Sequence, residues 1–265
     1  VRPTFWKRYD ERVPKAARVD MILSWLDLPA SERPTFLSLY FSDVDDAGHE
    51  FGPEALETKN AVAKVDGDIG RLLEGLKARR IFGQVNLIIV SDHGMATVNP
   101  RNAILLDGMF DTELAERIFW TAEIVSIFPR EGKEEEIYTA LTAKLPPQAK
   151  VYRKSETPAR LHYRDSPRIA PLLVLPEEGW TLTNRERFKA RQARPDPQRP
   201  WGAHGYDNAL ESMRAVFVAH GPAFKRGKVA APFENVHVYH LMAHILGLRP
   251  AKNDGMPAVA RDVLR

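Results

Sequence analysis

The chain has 265 residues, of which 44% are hydrophobic and 28% are charged. This composition excludes a disordered or collagen-like chain over most of its length and allows one large domain, or a core with an inserted subdomain. Lys and Arg outnumber Asp and Glu by only 38 to 35, which gives no reason to expect specific nucleic-acid binding. The absence of cysteine excludes disulfides, thiolate zinc sites and a cysteine nucleophile. No apolar run reaches the roughly 18 residues that a membrane-spanning segment needs.

Three short apolar runs predict buried strands, at residues 35–41, 85–90 and 215–219. Between the first two, apolar residues recur at helical spacing from Val62 to Leu76. Strand, helix and strand together predict a parallel unit with a right-handed crossover. Polar residues follow each of the three runs. Ligands of open α/β sheets bind beyond the carboxyl ends of the strands, so these polar residues mark the expected site.

The pattern changes between residues 97 and 183. Strands are predicted near 124–128, 151–153 and 171–175, and a helix near 133–145. We interpret residues 97–183 as a small inserted α+β subdomain on a core formed by 1–96 and 200–265. Residues 184–200 are basic, contain proline and lack apolar periodicity, which predicts a loop. Residues 236–246 predict the last helix, ending near Gly247.

Three separate motifs contain residues that could bind zinc, which requires neutral imidazoles and ionised carboxylates at one point. Asp45 and His49 follow the first apolar run, where their four-residue spacing lets both side chains face one point across a turn. Asp92 and His93 follow the second run, and His204 lies between two glycines. Each motif alone is common, but the three in this order are far more specific.

Other polar groups in the sequence have simpler explanations. His237, His240 and His244 recur at helical spacing without a carboxylate partner, so we interpret them as one face of a helix. The basic residues between 185 and 199 could attract phosphate, but a solvated loop is the better explanation. Asp43 and Asp46 are alternatives to Asp45 as a metal ligand, because residue type alone does not distinguish the three carboxylates.

The chain resembles the nucleotide pyrophosphatase/phosphodiesterase family of the alkaline phosphatase superfamily over essentially its whole length. The matching segments are Tyr40–Pro53, Ser91–Met95 and Gly202–Asn208, with further similarity at Arg2–Trp6 and Glu234–Tyr239. The resemblance implies a partial alkaline-phosphatase-like three-layer α/β sandwich with a small inserted α+β subdomain. It also favours Asp45 over its acidic neighbours, because the family's ligand lies four residues before the histidine.

The resemblance implies two zinc ions. Asp45, His49 and His204 would bind one of them, and Asp92 and His93 would supply two of the three ligands of the other. Tyr40 would stack on a nucleobase, whereas its strand position by itself suggests a packed core aromatic. The family's third ligand of the second zinc, its threonine nucleophile and a supporting asparagine have no counterpart in these 265 residues. We therefore assign no catalytic nucleophile, and we expect association with a preceding segment that carries these groups.

The function implied is zinc-dependent hydrolysis of phosphodiester or pyrophosphate bonds in nucleotides, with this chain alone inactive. Another hydrolase activity of the superfamily, on phosphonates or phosphomonoesters, is the alternative within the same class. A non-catalytic zinc-binding fragment is the alternative from a different class. Relatives of this type are commonly exported, so the expected compartment is periplasmic or extracellular.

Overall fold

The computed structural model describes residues 2–265. Its helices are α1 (Lys15–Leu26), α2 (Asp43–Phe51), α3 (Leu56–Ala78), α4 (Glu134–Lys144), α5 (Arg185–Gln192), α6 (Val238–Ile245) and α7 (Ala258–Val263). Its strands are β1 (Leu87–Val90), β2 (Ala96–Val98), β3 (Ala103–Leu105), β4 (Ala115–Trp120), β5 (Val125–Pro129), β6 (Ala149–Arg153), β7 (Leu172–Pro176), β8 (Thr181–Thr183), β9 (Trp201–Ala203) and β10 (Phe217–His220).

The chain divides into two compact units. The first unit comprises Val1–Ala47, Glu54–Ile89 and Phe217–Arg265, and the second comprises Gly48–Pro53 and Val90–Val216. Within residues 2–265, none of the helices combines the length and the apolar composition that crossing a membrane requires.

In the first unit, the long helix α3 packs against α1. Val19 and Leu23 on α1 are buried against Leu76 on α3. A Cβ atom at Gly75 would lie 2.3 Å from a terminal carbon of Leu23, so glycine is needed for the two helices to approach this closely. The helix predicted from Val62 to Leu76 is confirmed and extends further at both ends. A second cluster forms where α6 and α7 pack together around Leu241 and Phe224.

The prediction of a strand at residues 35–41 is wrong. The segment keeps an alternating pattern of burial, and Leu39 and Phe41 pack on the cluster formed by α1 and α3. A strand also needs a neighbouring backbone to complete its hydrogen bonds, and no β-ladder includes 35–41 in the described part of the chain. The parallel strand–helix–strand unit is therefore not formed as predicted. Its second strand is present as β1, which pairs with β10.

The second unit contains a four-stranded antiparallel sheet in the order β4-β5-β7-β6. The strands predicted near 124–128, 151–153 and 171–175 are confirmed as β5, β6 and β7, and the helix predicted near 133–145 is α4. Val125, Ile127 and Leu172 on the sheet are fully buried, as are Ile137 and Leu141 on α4. Their apolar side chains are the main core of this unit. Two further pairs of strands, β2 with β9 and β3 with β8, complete it.

Residues 184–200 are not only a loop, because α5 occupies Arg185–Gln192. The side chain of Asn184 accepts a hydrogen bond from the backbone N–H of Arg187 and so caps the first turn. The helix is rich in Arg, Lys, Ala and Gln, which favour helices without any apolar stripe. A search for apolar periodicity misses such a solvated helix, although the cap is visible in the sequence.

The helix predicted at the C-terminal end, 236–246, is confirmed as α6. It follows a short 3-10 turn at Asn235–His237. Gly247, with a φ of 64°, lies just beyond its end, where a left-handed backbone commonly terminates a helix.

Candidate metal centre

Asp45 and His49 lie on α2, not on a turn after a strand as the sequence suggested. Residues four apart on a helix share one face, so helical geometry brings these two side chains together. The first turn of α2 contains Asp43, Asp45 and Asp46, whose negative charges favour a helix N-terminus. Asp45 is half-buried and Asp46 is exposed. The orientation of the helix therefore distinguishes two adjacent carboxylates that residue type alone does not.

Two glycines let the C-terminal half of α2 lie directly against β9. A Cβ atom on Gly202 would be 2.2 Å from the carbonyl oxygen of Gly48, and one on Gly48 would be 2.9 Å from the Cε atom of Met95. Contacts this short require the absence of a side chain at Gly202, because the neighbouring atoms belong to backbone. The glycines around His49 and His204 thus bring the segments that carry these two histidines into contact.

This close approach fixes the hydrogen bonding of His49. Its Nδ1 atom lies 2.9 Å from the carbonyl oxygen of Gly202. A carbonyl only accepts, so Nδ1 carries the proton and donates it, and in the neutral ring Nε2 keeps its lone pair. An imidazole that donates one N–H to a backbone carbonyl and directs its other nitrogen outward is a typical arrangement for metal-binding histidine.

His204 follows the last residue of β9 and completes a group of three. One ligand atom from each of Asp45, His49 and His204 lies within 4.8 Å of the other two. The rings of His49 and His204 have centroids 4.9 Å apart. Ligand atoms of a tetrahedral zinc ion are about 3.3 Å apart, given bonds of about 2.0–2.1 Å, so small side-chain rotations would complete the geometry. One carboxylate and two imidazoles fit zinc in number and in donor type.

The second predicted pair, Asp92 and His93, lies next to His204. The ring of His93 stacks on that of His204 with centroids 3.4 Å apart. The Nε2 atom of His93 is 3.5 Å from Oδ1 of Asp92, whose side chain is 77% exposed. The Nδ1 atom of His93 lies 2.8 Å from the carbonyl oxygen of Gly94. A carbonyl only accepts, so Nδ1 carries the proton and Nε2 is the nitrogen that could bind a metal ion. The structure therefore places the motif with Asp92 and His93 beside the motif that contains His204.

Tyr40 is exposed, in contrast to the core position that its apolar run suggested. Its side chain is 56% accessible, and its ring lies 5.8 Å from that of Tyr9. Arg18 donates to the carbonyl oxygen of Tyr40 and lies over the ring of Tyr9. The hydroxyl of Tyr9 is 2.8 Å from that of Ser42. The aromatic face of Tyr40 is thus accessible to a flat ligand.

The other histidines have structural roles or remain on the surface. His220 stacks on Phe82 with ring centroids 4.6 Å apart. His237 is buried, and its Nδ1 atom accepts a hydrogen bond from Met256. Among residues 2–265, His240 and His244 do not belong to a metal-ligating group.

Glu123 is a polar residue near this centre that the sequence did not indicate. Burial raises its pKa to about 7, although a hydrogen bond with its own backbone and the electrostatic influence of His49 and Arg191 oppose this rise. It lies on the turn that precedes β5, and a side chain on Gly205 would contact its Cβ atom at 3.5 Å. Burial lowers the pKa of Arg191, whose guanidinium lies 4.2 Å from the ring centre of Trp201. No local motif identifies Glu123, because its neighbours come from distant parts of the chain.

Glu123 makes stability depend on pH in a defined direction. Its pKa is about 7 in the folded chain against an ordinary value of 4.5, so the folded state retains a proton that the unfolded state releases. Stability therefore falls as pH rises between these values. Glu123→Gln should remove about 1 to 2 kcal/mol of this loss, allowing for the partial exposure of the group. Denaturant unfolding at pH 5 and pH 8, with chelator present, measures the loss of unfolding free energy in each variant.

The exposed Glu116 provides the control for this prediction. Glu116→Gln should leave the difference in unfolding free energy between pH 5 and pH 8 as it is in the unmodified chain. An equal difference in Glu123→Gln and the unmodified chain would contradict the assignment.

Comparisons with known proteins match residues 1–207 to the family described as type I phosphodiesterase / nucleotide pyrophosphatase. The chain is 39% identical to an uncharacterised pyrophosphatase/phosphodiesterase of Schizosaccharomyces pombe, over 96% of this chain and 53% of that protein. It is 35% identical to a venom phosphodiesterase of Crotalus durissus collilineatus, over 96% of this chain and 30% of that one. The chain thus spans 30% to 53% of the length of these two relatives.

A solved structure of mouse ectonucleotide pyrophosphatase/phosphodiesterase 5 superposes with a TM-score of 0.87 at 33% identity, covering 99% of this chain and 67% of that one. The same mouse protein is also known as an inactive threonine-to-alanine variant in complex with AMP, which superposes with a TM-score of 0.86 at 33% identity, covering 98% of this chain and 67% of that one. The fold is therefore the alkaline-phosphatase-like α/β fold expected from the sequence motifs. With the family match over residues 1–207, these similarities show that the chain belongs to the type I phosphodiesterase / nucleotide pyrophosphatase family.

Proposed function

We propose that this chain provides the metal-binding part of an enzyme that hydrolyses phosphodiester or pyrophosphate bonds of nucleotides with zinc. The observation that carries the proposal is the grouping of Asp45, His49 and His204, with ligand atoms within 4.8 Å of one another. These residues come from two of the motifs that resemble the family. Three protein ligands with a further position open are typical of catalytic zinc.

Zinc at this group would act as a Lewis acid on a phosphoryl oxygen or on the oxygen that leaves. Asp45 would supply the negative charge that offsets part of the charge of the ion. His49 would bind through Nε2, because its Nδ1 proton is donated to the carbonyl of Gly202. His204 would bind from the loop after β9. Each of these roles uses the donor atoms and the tautomer that the geometry favours.

Asp92 and His93 would contribute two ligands to a second zinc ion. Two metal ions about 4 Å apart can bind both the attacking and the leaving oxygen of a phosphoryl group. The position of His93 against His204, with ring centroids 3.4 Å apart, supports two neighbouring sites. We assign no nucleophile among residues 1–265, because the sequence motifs include no counterpart of the family's threonine.

The proposed substrate is a nucleotide, with Tyr40 stacking on the base. The exposed ring of Tyr40 supports this role, since aromatic faces bind flat heterocycles. The mouse relative whose structure contains AMP gives independent support for a nucleoside monophosphate as ligand or product. Names of relatives such as venom phosphodiesterase and ectonucleotide pyrophosphatase/phosphodiesterase support an extracellular location, which is one of the two compartments expected from the sequence.

Zinc removal tests the proposal. The 265-residue chain should bind zinc, measured by competition with a chromogenic chelator. The full product of the gene should hydrolyse the nitrophenyl ester of thymidine monophosphate at least about 100-fold faster than nitrophenyl phosphate. Dialysis against chelator should reduce the rate by about 10³-fold, because metal stabilisation of the transition state contributes several kcal/mol. Added zinc should restore the rate.

The alternatives predict different outcomes of the same assays. A phosphomonoesterase would prefer nitrophenyl phosphate, and a phosphonate hydrolase would prefer a nitrophenyl phosphonate. A non-catalytic zinc-binding fragment would bind zinc, while the gene product would hydrolyse none of these esters. Full activity after metal removal would overturn the proposal itself.

A further inference from the structure

We propose that Arg160 is a positioning residue for the zinc ligand His204, and that it acts by clamping the loop that follows β9. This inference rests on the metal site proposed above. Arg160 lies in the chain 44 residues before His204. Its effect would pass through Asp207 and Asn208, three and four residues beyond the ligand.

The guanidinium of Arg160 makes a forked contact with this loop. Its Nη1 atom donates to Oδ1 of Asp207 at 2.5 Å and to Oδ1 of Asn208 at 2.7 Å. Its Nη2 atom donates to Oδ2 of Asp207. A planar guanidinium that meets both oxygens of a carboxylate fixes direction as well as distance. In agreement with this contact, the hydrogen bond from Arg160 holds the pKa of Asp207 below its usual value.

Asp207 transmits this restraint to the backbone. Its Oδ1 atom also accepts the backbone N–H of Ala209 at 2.9 Å, and its carbonyl accepts the N–H of Leu210 at 3.1 Å. The carboxylate thus closes a turn directly after the ligand loop. Gly205, between this turn and His204, has a φ of +104°, which few other residues adopt. A glycine in this position gives the loop a flexible point that only contacts on either side can restrain.

The N-terminal side of His204 is already restrained without Arg160. The β9 residues Gly202 and Ala203 pair with β2, and this ladder ends one residue before the ligand. On the C-terminal side, the hydroxyl of the buried Tyr206 donates to the carbonyl of Trp180 at 2.9 Å. The clamp from Arg160 supplies the charged contact on that side.

Arg160 itself lies on a segment that can act as a fixed support. It belongs to a short 3-10 turn, Ala159–Leu161. The hydroxyl of Thr157, which is almost fully buried, lies 2.7 Å from the carbonyl of Lys154 and 2.9 Å from that of Tyr163. These contacts of Thr157 hold together the two ends of the loop that carries Arg160. A rigid support makes a forked contact more effective in holding the segment that it meets.

The clamp should influence metal affinity more than global stability. The side chains of Arg160 and Asp207 are 43% and 45% exposed, and ion pairs with such exposure contribute little to folding. Metal binding is more sensitive, because outer groups that orient a ligand typically change affinity 10- to 100-fold. This difference separates a positioning role from a merely structural one.

The test compares Arg160→Gln with Arg164→Gln, a nearby exposed arginine, in the whole chain. Arg160→Gln should weaken zinc binding about 10- to 100-fold by chelator competition. The melting temperature of its metal-free form should stay within a few degrees of the unmodified chain. Arg164→Gln should change neither quantity.

Arg160→Lys, which keeps the charge without the forked contact, should have an intermediate zinc affinity. Asp207→Asn should weaken binding like Arg160→Gln, and the double variant should be no worse than either.

A second measurement does not depend on zinc. Hydrogen–deuterium exchange of the metal-free chain should be faster at residues 205–210 in Arg160→Gln and unchanged in β2. Zinc affinity within twofold of the unmodified chain, or an equal loss in Arg164→Gln, would overturn the clamp while leaving the metal site standing. Failure of the unmodified chain to bind zinc would instead overturn the proposed function, and the clamp with it.

Discussion

Asp45→Asn is expected to lower the affinity for zinc by at least about 100-fold, more than the loss of a group outside the ligand set would cause. Asparagine keeps the size of the side chain but removes the negative charge that a cation needs from this group. Hydrolysis of the nucleotide ester by the full gene product should fall by about 10³-fold, which corresponds to about 4 kcal/mol of transition-state stabilisation. Chelator competition and steady-state kinetics measure the two effects.

The matched control is Asp46→Asn, one residue further along α2. A step of one residue turns a side chain by about 100° around a helix, and Asp46 is exposed while Asp45 is half-buried. Zinc affinity and activity should remain within about twofold of the unmodified protein. If Asp46→Asn lost as much as Asp45→Asn, the ligand assignment would be wrong.

Gly202→Ala is expected to destabilise the chain by about 3 kcal/mol or more. The added methyl group would lie 2.2 Å from the carbonyl oxygen of Gly48 and 2.8 Å from its carbonyl carbon. These are backbone atoms, so the strain can be relieved only by moving α2 away from β9, and overpacking of this kind typically costs 1 to 3 kcal/mol or more. The same movement would break the hydrogen bond from His49 to Gly202. Zinc binding should therefore be lost together with stability.

Two other glycine substitutions show whether the effect is specific to this contact. Gly48→Ala meets only the flexible end of Met95 at 2.9 Å, so its cost should stay within about 1 kcal/mol, offset in part by helix propensity. Gly67→Ala, on α3, meets nothing within 4 Å and should stabilise by about 0.5–1 kcal/mol. Denaturant unfolding ranks the three variants. Gly202→Ala with unchanged stability would rule out the close approach of α2 and β9.

The sequence predicted the elements that depend on local patterns. Continuous apolar runs identified β1, β5 and β7, and helical periodicity identified α3 and α4, because burial of these elements requires such patterns. It did not identify α2 and α5, which lack a strong apolar stripe and depend on acidic residues in the first turn or on the cap at Asn184. The segment 35–41 shows the opposite error, since its apolar pattern is real but no β-ladder includes it within residues 2–265.

The candidate metal site also has features that the sequence determined and features that only the tertiary structure decided. The sequence by itself determined the family and the types of residue that could bind a metal ion, because these are written in short motifs around Asp45, Asp92 and His204. Only the tertiary structure decided that α2 and β9 meet through two glycines, that Nδ1 of His49 donates to the carbonyl of Gly202, and that Arg160 contacts Asp207. These facts depend on contacts between segments tens to more than a hundred residues apart. Such contacts are selected by the packing of the whole chain, and no local pattern encodes them.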